Sequence, residues 1–302
     1  MKLTRINPDI VKVLWYKNPL LTFKNCMLVK RLRQQFGSKV NIVDIVNSPS
    51  FFFTDKGLTI LPPEIGLLTK LEKIYLYSNK LTQLPSEIGK LINLQILDLS
   101  HNHLIQLPQE IGHLINLKHV DLMNNKLTEL PKEIGQLTNL ETLTLSCNKL
   151  TQLPPEIGKL NKLTQLDLHS NQITILPEEI GQLSNLKLLH LNNNLLTSLP
   201  VGIGLLHNLK EFYLYYNKLT ILPHEISKLT NLKRLRLNSN QLTTLPSWIS
   251  KLINLQKLCL FNNPDLSKLP TSLSQLQNLK EINVDEQLKK QALKNCPNAR
   301  IN

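Results

Sequence analysis

The stretch LQILDLSHNHL, residues 94–104, decides the fold, because its spacing returns at LTQLDLHSNQI, residues 163–173, and at seven further places. Its asparagine falls at Asn79, Asn102, Asn125, Asn148, Asn171, Asn194, Asn217, Asn240 and Asn263, every 23 residues without a slip. The other half of each period reads LPxEIGxLxN, as in LPSEIGKLIN, residues 84–93. Self-similarity at such a period marks a solenoid, in which each repeat is one supersecondary unit stacked on the next.

Each position has a physical reason. Leu97 and Leu99 alternate with polar residues, the period-two pattern of a half-buried strand. Each repeat therefore adds one short strand to a parallel sheet. Pro85, Pro108, Pro131 and their equivalents cannot donate a ladder hydrogen bond, so the second half is no central strand. Leu84, Ile88 and Leu91 suit a short helical or 3₁₀ turn along the convex side. Glu87 and its equivalents start that turn, where the dipole favours negative charge; this column is structural.

The asparagine column is read the same way. At a bend buried between coils, a side-chain amide can donate to and accept from backbone groups of neighbouring coils, forming a ladder. Gly66, Gly89, Gly112, Gly135, Gly158, Gly181 and Gly204 permit unusual dihedrals or close packing, and Ser227, Ser250 and Ser274 replace them later. Phe51, Phe53 and Leu58 fit the register of a degenerate first coil with Lys56 in the asparagine position. Leu279, Ile282 and Val284 begin a last strand, and Leu288 to Asn302 read as a polar cap with a short helix. The chain divides into a basic segment at 1–50 with a possible helix through Leu21, Leu28, Leu32 and Phe36, a solenoid at 51–278, and a cap at 279–302.

Bulk properties agree. Hydrophobic residues make up 41% of the 302 but aromatics only 5%, so the core is aliphatic. Ala292 and Ala299 are the only alanines, which argues against a helical bundle. The net charge is +13; residues 1–50 carry nine Lys or Arg against Asp9 and Asp44. Such a segment reads first as a solvated helix face, and otherwise as a contact for acidic partners. Lys12 and Lys17 interrupt the apolar N-terminal residues, so no secretory signal is read there, and no run of about 18 apolar residues spans a membrane. Location defaults to the cytoplasm on that reading. Cys26, Cys147, Cys259 and Cys296 are too scattered for a disulfide framework.

These motifs resemble the leucine-rich-repeat superfamily, in the 23-residue form seen in leptospiral proteins and Ras-pathway scaffolds. The resemblance covers residues 51–302. It implies a horseshoe whose concave parallel sheet binds proteins, and for the leptospiral relatives a place at the host interface, reached by non-classical export.

With Leu94 as position one, the strand side chains facing outward are the third, fifth, seventh and eighth, and the repeat does not fix them. Tyr75, Tyr77, Tyr213, Tyr215 and Tyr216 all fall there, followed by Arg234, Arg236 and Phe261 on later coils. Tyrosine and arginine are enriched among binding hot spots, so Tyr213, Tyr215, Tyr216, Arg234, Arg236 and Phe261 form the expected protein-binding site, with Tyr75 and Tyr77 beside it in kind. Asp167, His169 and His190 lie on neighbouring strands and are a candidate zinc group, against the simpler reading of solvated side chains. No cofactor is expected. HEISK at 224–228 lacks the second His of a zinc protease motif, and no phosphate loop or nucleophile elbow occurs, so an enzyme is not expected. The readings rank as a protein-binding module, then a self-associating scaffold, then a binder of nucleic acid or acidic surfaces.

Overall fold

The computed structural model describes residues 48–302; the helix expected through Leu21, Leu28, Leu32 and Phe36 lies outside the described residues. The strand alternation is present: Leu97 and Leu99 are buried, while Ile96 and Asp98 are half-exposed. The strands are β1 (Ser50–Phe52), β2 (Lys73–Tyr75), β3 (Ile96–Asp98), β4 (His119–Asp121), β5 (Thr142–Thr144) and β6 (Gln165–Asp167). They continue as β7 (Leu188–His190), β8 (Glu211–Tyr213), β9 (Arg234–Arg236), β10 (Lys257–Cys259), β11 (Glu281–Asn283) and β12 (Arg300–Ile301). All twelve form one parallel sheet in sequence order. Equivalent residues pair across it, Asp98 with Asp121 and Tyr213 with Arg236, so every column of the sequence becomes a row of side chains.

A five-residue 3₁₀ turn returns the chain on the other side, as at Ser86–Lys90 after Pro85. Its glycine is there for close packing and not for unusual dihedrals. A Cβ on Gly89 would stand 2.6 Å from the Glu110 carbonyl oxygen of the next coil. The left-handed backbone instead sits in the eighth column, at Ser78, His101, Asn124, Cys147, Ser170, Asn193, Tyr216, Ser239 and Asn262.

The asparagine ladder takes the expected form. Asn102 donates to the Leu76 carbonyl of the previous coil at 2.9 Å and to Leu99 of its own at 3.0 Å, and its Oδ1 accepts from the Leu81 N–H at 3.0 Å. The same three links recur at Asn171, through Leu145, Leu168 and Leu150. Each buried amide thereby satisfies backbone groups that would otherwise be stranded. A second ladder, not anticipated from the sequence, runs along the opposite rim: Asn93, Asn116, Asn139, Asn185, Asn208, Asn231, Asn254 and Asn278 each donate to a carbonyl of the preceding coil. Lys162 interrupts it and reaches back to Asn139 Oδ1 at 2.7 Å.

Stacked leucines and isoleucines form one continuous core from Phe51 to Cys296. Each such side chain contributes on the order of 1.5–3 kcal/mol before entropy is subtracted. At the start, Asn79 closes the degenerate coil by accepting from the Lys56 and Leu58 N–H groups. At the end, helix α1 (Glu286–Asn295) caps the core, and the chain then adds β12 alongside β11, beyond the strand expected to be last. Among the described residues no helix is long and apolar enough to cross a membrane.

Candidate functional site

The outward columns of the sheet split into two chemistries. On β3, β4 and β6 the fifth column is Asp98, Asp121 and Asp167. Each carboxylate accepts the backbone N–H two residues on, from Ser100, Met123 and His169, at 2.9–3.1 Å. This shared turn-forming bond explains the column. Burial and the neighbouring Asp98 push the Asp121 carboxyl above its ordinary value, partly offset by the Met123 N–H.

The zinc candidates lie on adjoining coils. Asp167 Oδ1 stands 2.7 Å from His169 Nδ1, and Asp167 Oδ2 stands 4.0 Å from His190 Nδ1. Among the described residues no group of three or more His, Cys, Asp or Glu side chains is placed to hold a metal ion. His190 instead lies flat against Tyr213, ring centroids 4.4 Å apart, and burial lowers its proton affinity.

From β8 onward the face is aromatic and basic. The Tyr213 hydroxyl donates to Glu211, which also holds Arg234, its neighbour in the exposed third column of the next coil. Burial, then the bond to Glu211, raises the Tyr213 phenol above its ordinary value. Arg236 lies over the Tyr213 ring at 4.8 Å, a cation–π contact. Tyr215 meets Tyr216 edge to face at 5.7 Å.

A hollow of about 320 Å³ opens next to them, lined by Tyr215, Tyr216, Arg236, Phe261, Asn238, Lys257, Cys259 and Asn283. Four of the six residues expected at the site thus share one hollow. Tyr213 supports it from beneath Arg236, and Arg234 stands apart on Glu211. The Arg236 Nε atom is buried without a hydrogen-bond partner. Tyr216 and Phe261 are 56% and 39% exposed, well above what the core tolerates.

Tyr75 and Tyr77 are not brought to this hollow, being six coils away, on β2 and just after it. Tyr75 stacks on Phe52 at 4.7 Å, an exposed partner the sequence reading passed over because Phe52 sits in the degenerate coil. A larger hollow, about 590 Å³, lies on the rim at Lys70, Glu72, Asn93, Gln95, Asn116 and Lys118. Its asparagines already serve the second ladder, and it carries no aromatic anchor.

Comparison with known proteins settles the family. A model of the leucine-rich repeat region matches residues 109–190 and 177–298, and a leucine rich repeat model matches 69–127. A solved leucine-rich-repeat protein of Leptospira interrogans is 35% identical over 82% of this chain and 81% of its own, with a TM-score of 0.59. The chain belongs to the leucine-rich-repeat family. As a leucine-rich-repeat protein it is also similar to the functional domain of InlJ from Listeria monocytogenes, at 25% identity and TM-score 0.69 over 85% of this chain and 53% of that one. A plant peptide hormone receptor, RGFR1, solved in complex with RGF2, is 31% identical with a TM-score of 0.58, over 75% of this chain and 42% of the receptor. No curated protein matches. The fold is consistent with a protein-binding module.

Proposed function

We propose that this leucine-rich-repeat protein recognises a protein partner through the C-terminal half of its concave face and does so without catalysis. The observation that carries this is the hollow formed by Tyr215, Tyr216, Arg236 and Phe261. Tyrosine and phenylalanine rings offer large contact area with few rotors to freeze, and arginine offers planar charged donors. The asparagine ladders behind them fix the backbone that carries these side chains, which lowers the entropic cost of association. The likeness to a peptide hormone receptor solved with RGF2 supports protein or peptide recognition as a use of this fold. The likeness to bacterial proteins from Leptospira and Listeria supports a bacterial setting, with a partner at the host interface.

The test compares two faces. Tyr213→Ala, Tyr215→Ala and Arg236→Ala together should keep the parental melt, yet cost a captured partner about 2 kcal/mol or more in affinity. The control is Trp248→Ala with Glu225→Ala on the convex side, where Trp248 packs against the core and edge-on to His224 at 6.2 Å. A partner retained by the concave triple variant and lost by the convex pair would place the site on the wrong face.

A further inference from the structure

Three side chains on adjoining coils form a thiol, base and carboxylate series that lies outside the aromatic hollow. Cys147 is the eighth-column residue of its coil, half-buried, with φ at 56°. His169 and Asp167 are the seventh and fifth of the next. The coils are pinned by backbone bonds from Cys147 N–H to the His169 carbonyl at 2.9 Å and from Leu145 N–H to that of Asp167 at 2.7 Å. Asp167 Oδ1 lies 2.7 Å from His169 Nδ1. A carboxylate only accepts, so Nδ1 is the donor of this pair and Nε2 is the ring nitrogen left to face the thiol. That Nε2 lies 3.9 Å from Cys147 Sγ.

The periodicity provides its own controls. The same two columns elsewhere give Asn124 with Ser146, Ser170 with Asn192, and Ser239 with Phe261, none of which joins a thiol to a base. Cys259 and Cys296 are buried, which pushes both thiols up and away from reactivity.

We infer that Cys147 is a reactive thiol of the concave face, with His169 as its base and Asp167 orienting that base, and that it takes low-molecular-weight disulfides. The balance is that of thiol–disulfide exchange. His169 Nε2 takes the Cys147 proton, and the sulfur attacks one sulfur of the disulfide. A new S–S bond forms as the old one breaks, and the leaving thiolate recovers the proton from the imidazolium. One disulfide is consumed, one mixed disulfide and one small thiol appear, and no further oxidant is needed. Exchange asks only for a proton acceptor and solvent access, both of which an open concave face offers. His169 is a positioned base acting on Cys147, and Asp167 is a positioning residue.

The experiment incubates the 302-residue protein with oxidised glutathione at neutral pH and maps the adduct by peptide mass. The expected result, in a Cys26→Ser background, is one glutathione per chain on Cys147, ahead of Cys259 and Cys296 and absent when Cys147→Ser is added. His169→Gln should slow this adduct about tenfold or more, as loss of a positioned base does, at an unchanged melt. Asp167→Asn keeps the imidazole and should slow it less; it carries the comparison if His169→Gln melts early. Parental rates in both variants, or modification of Cys259 or Cys296 ahead of Cys147, would overturn the inference.

Discussion

Strands β3 to β6 and strands β8 to β11 share one backbone, one pairing register and one asparagine ladder, yet their outward faces are opposites. In the first group the carboxylates of Asp98, Asp121 and Asp167 are committed to their own turns, one N–H each. In the second, side chains reach across coils: Arg234 to Glu211, Arg236 to the Tyr213 ring, Lys257 to Glu281 at 2.8 Å. The difference teaches that the solenoid supplies position only. Whether a coil stays self-satisfied or builds a surface for something else is set by four residues in 23.

The largest expected effect concerns the first of these regions. Deleting residues 140–162, one whole repeat, removes the β5 coil from it while preserving the register of every interface, and should leave a shorter folded protein. Deleting eleven residues from the same place exchanges buried and exposed columns and should abolish the cooperative melt. Equal damage from both, read by circular dichroism, would break the idea that the coils are interchangeable supports.

Next in size are the two ladders that run under both regions. Asn171→Leu strands the Leu145 and Leu168 carbonyls and the Leu150 N–H in the core, and should cost about 1–3 kcal/mol. Asn185→Leu removes a bond from an exposed amide to the Asn161 carbonyl, which water can replace, and should cost well under half as much. Urea melts of the two variants rank them directly; equal losses would show that burial does not separate the ladders.

That contrast also explains what was legible in the sequence. The buried asparagine column, the strand and the 3₁₀ turn repeat without a slip because every coil must meet the same neighbours. Asn93 and its equivalents repeat nearly as well, but an exposed amide at a turn carries no obvious reason, so its ladder went unread. The β12 strand was not legible because two residues, Arg300 and Ile301, hold no period. Within the site, the column arithmetic placed Tyr215, Tyr216, Arg236 and Phe261 on one face. It could not foresee that Glu211 would hold Arg234, nor that Cys147 would meet His169, because both depend on side-chain rotamers across coils.

The smallest effects are in pH, and they should have opposite signs in the two regions. Burial and Asp98 raise the folded-state carboxyl of Asp121, so its charge costs stability at neutral pH and that cost fades as acidification protonates it. Asp121→Asn, whose amide oxygen can still accept the Met123 N–H, should therefore raise the melting temperature slightly at pH 7, with the gain vanishing near pH 4. His190 stands at the start of the aromatic region, facing Asp167, Glu211, His169 and Arg236, and burial is the largest influence on it. Its folded-state value lies below the ordinary one of about 6.5. Stability is then full above that value and is lost as pH falls below it toward the folded one, because the unfolded chain takes up the proton first. His190→Gln should flatten the melting temperature between pH 7 and the folded value while leaving the response of the Asp121 region unchanged. Thermal melts of parent, Asp121→Asn and His190→Gln across pH 4 to 8 separate the two. A His190→Gln profile parallel to the parent would mean that burial against Tyr213 does not set the proton affinity of this ring.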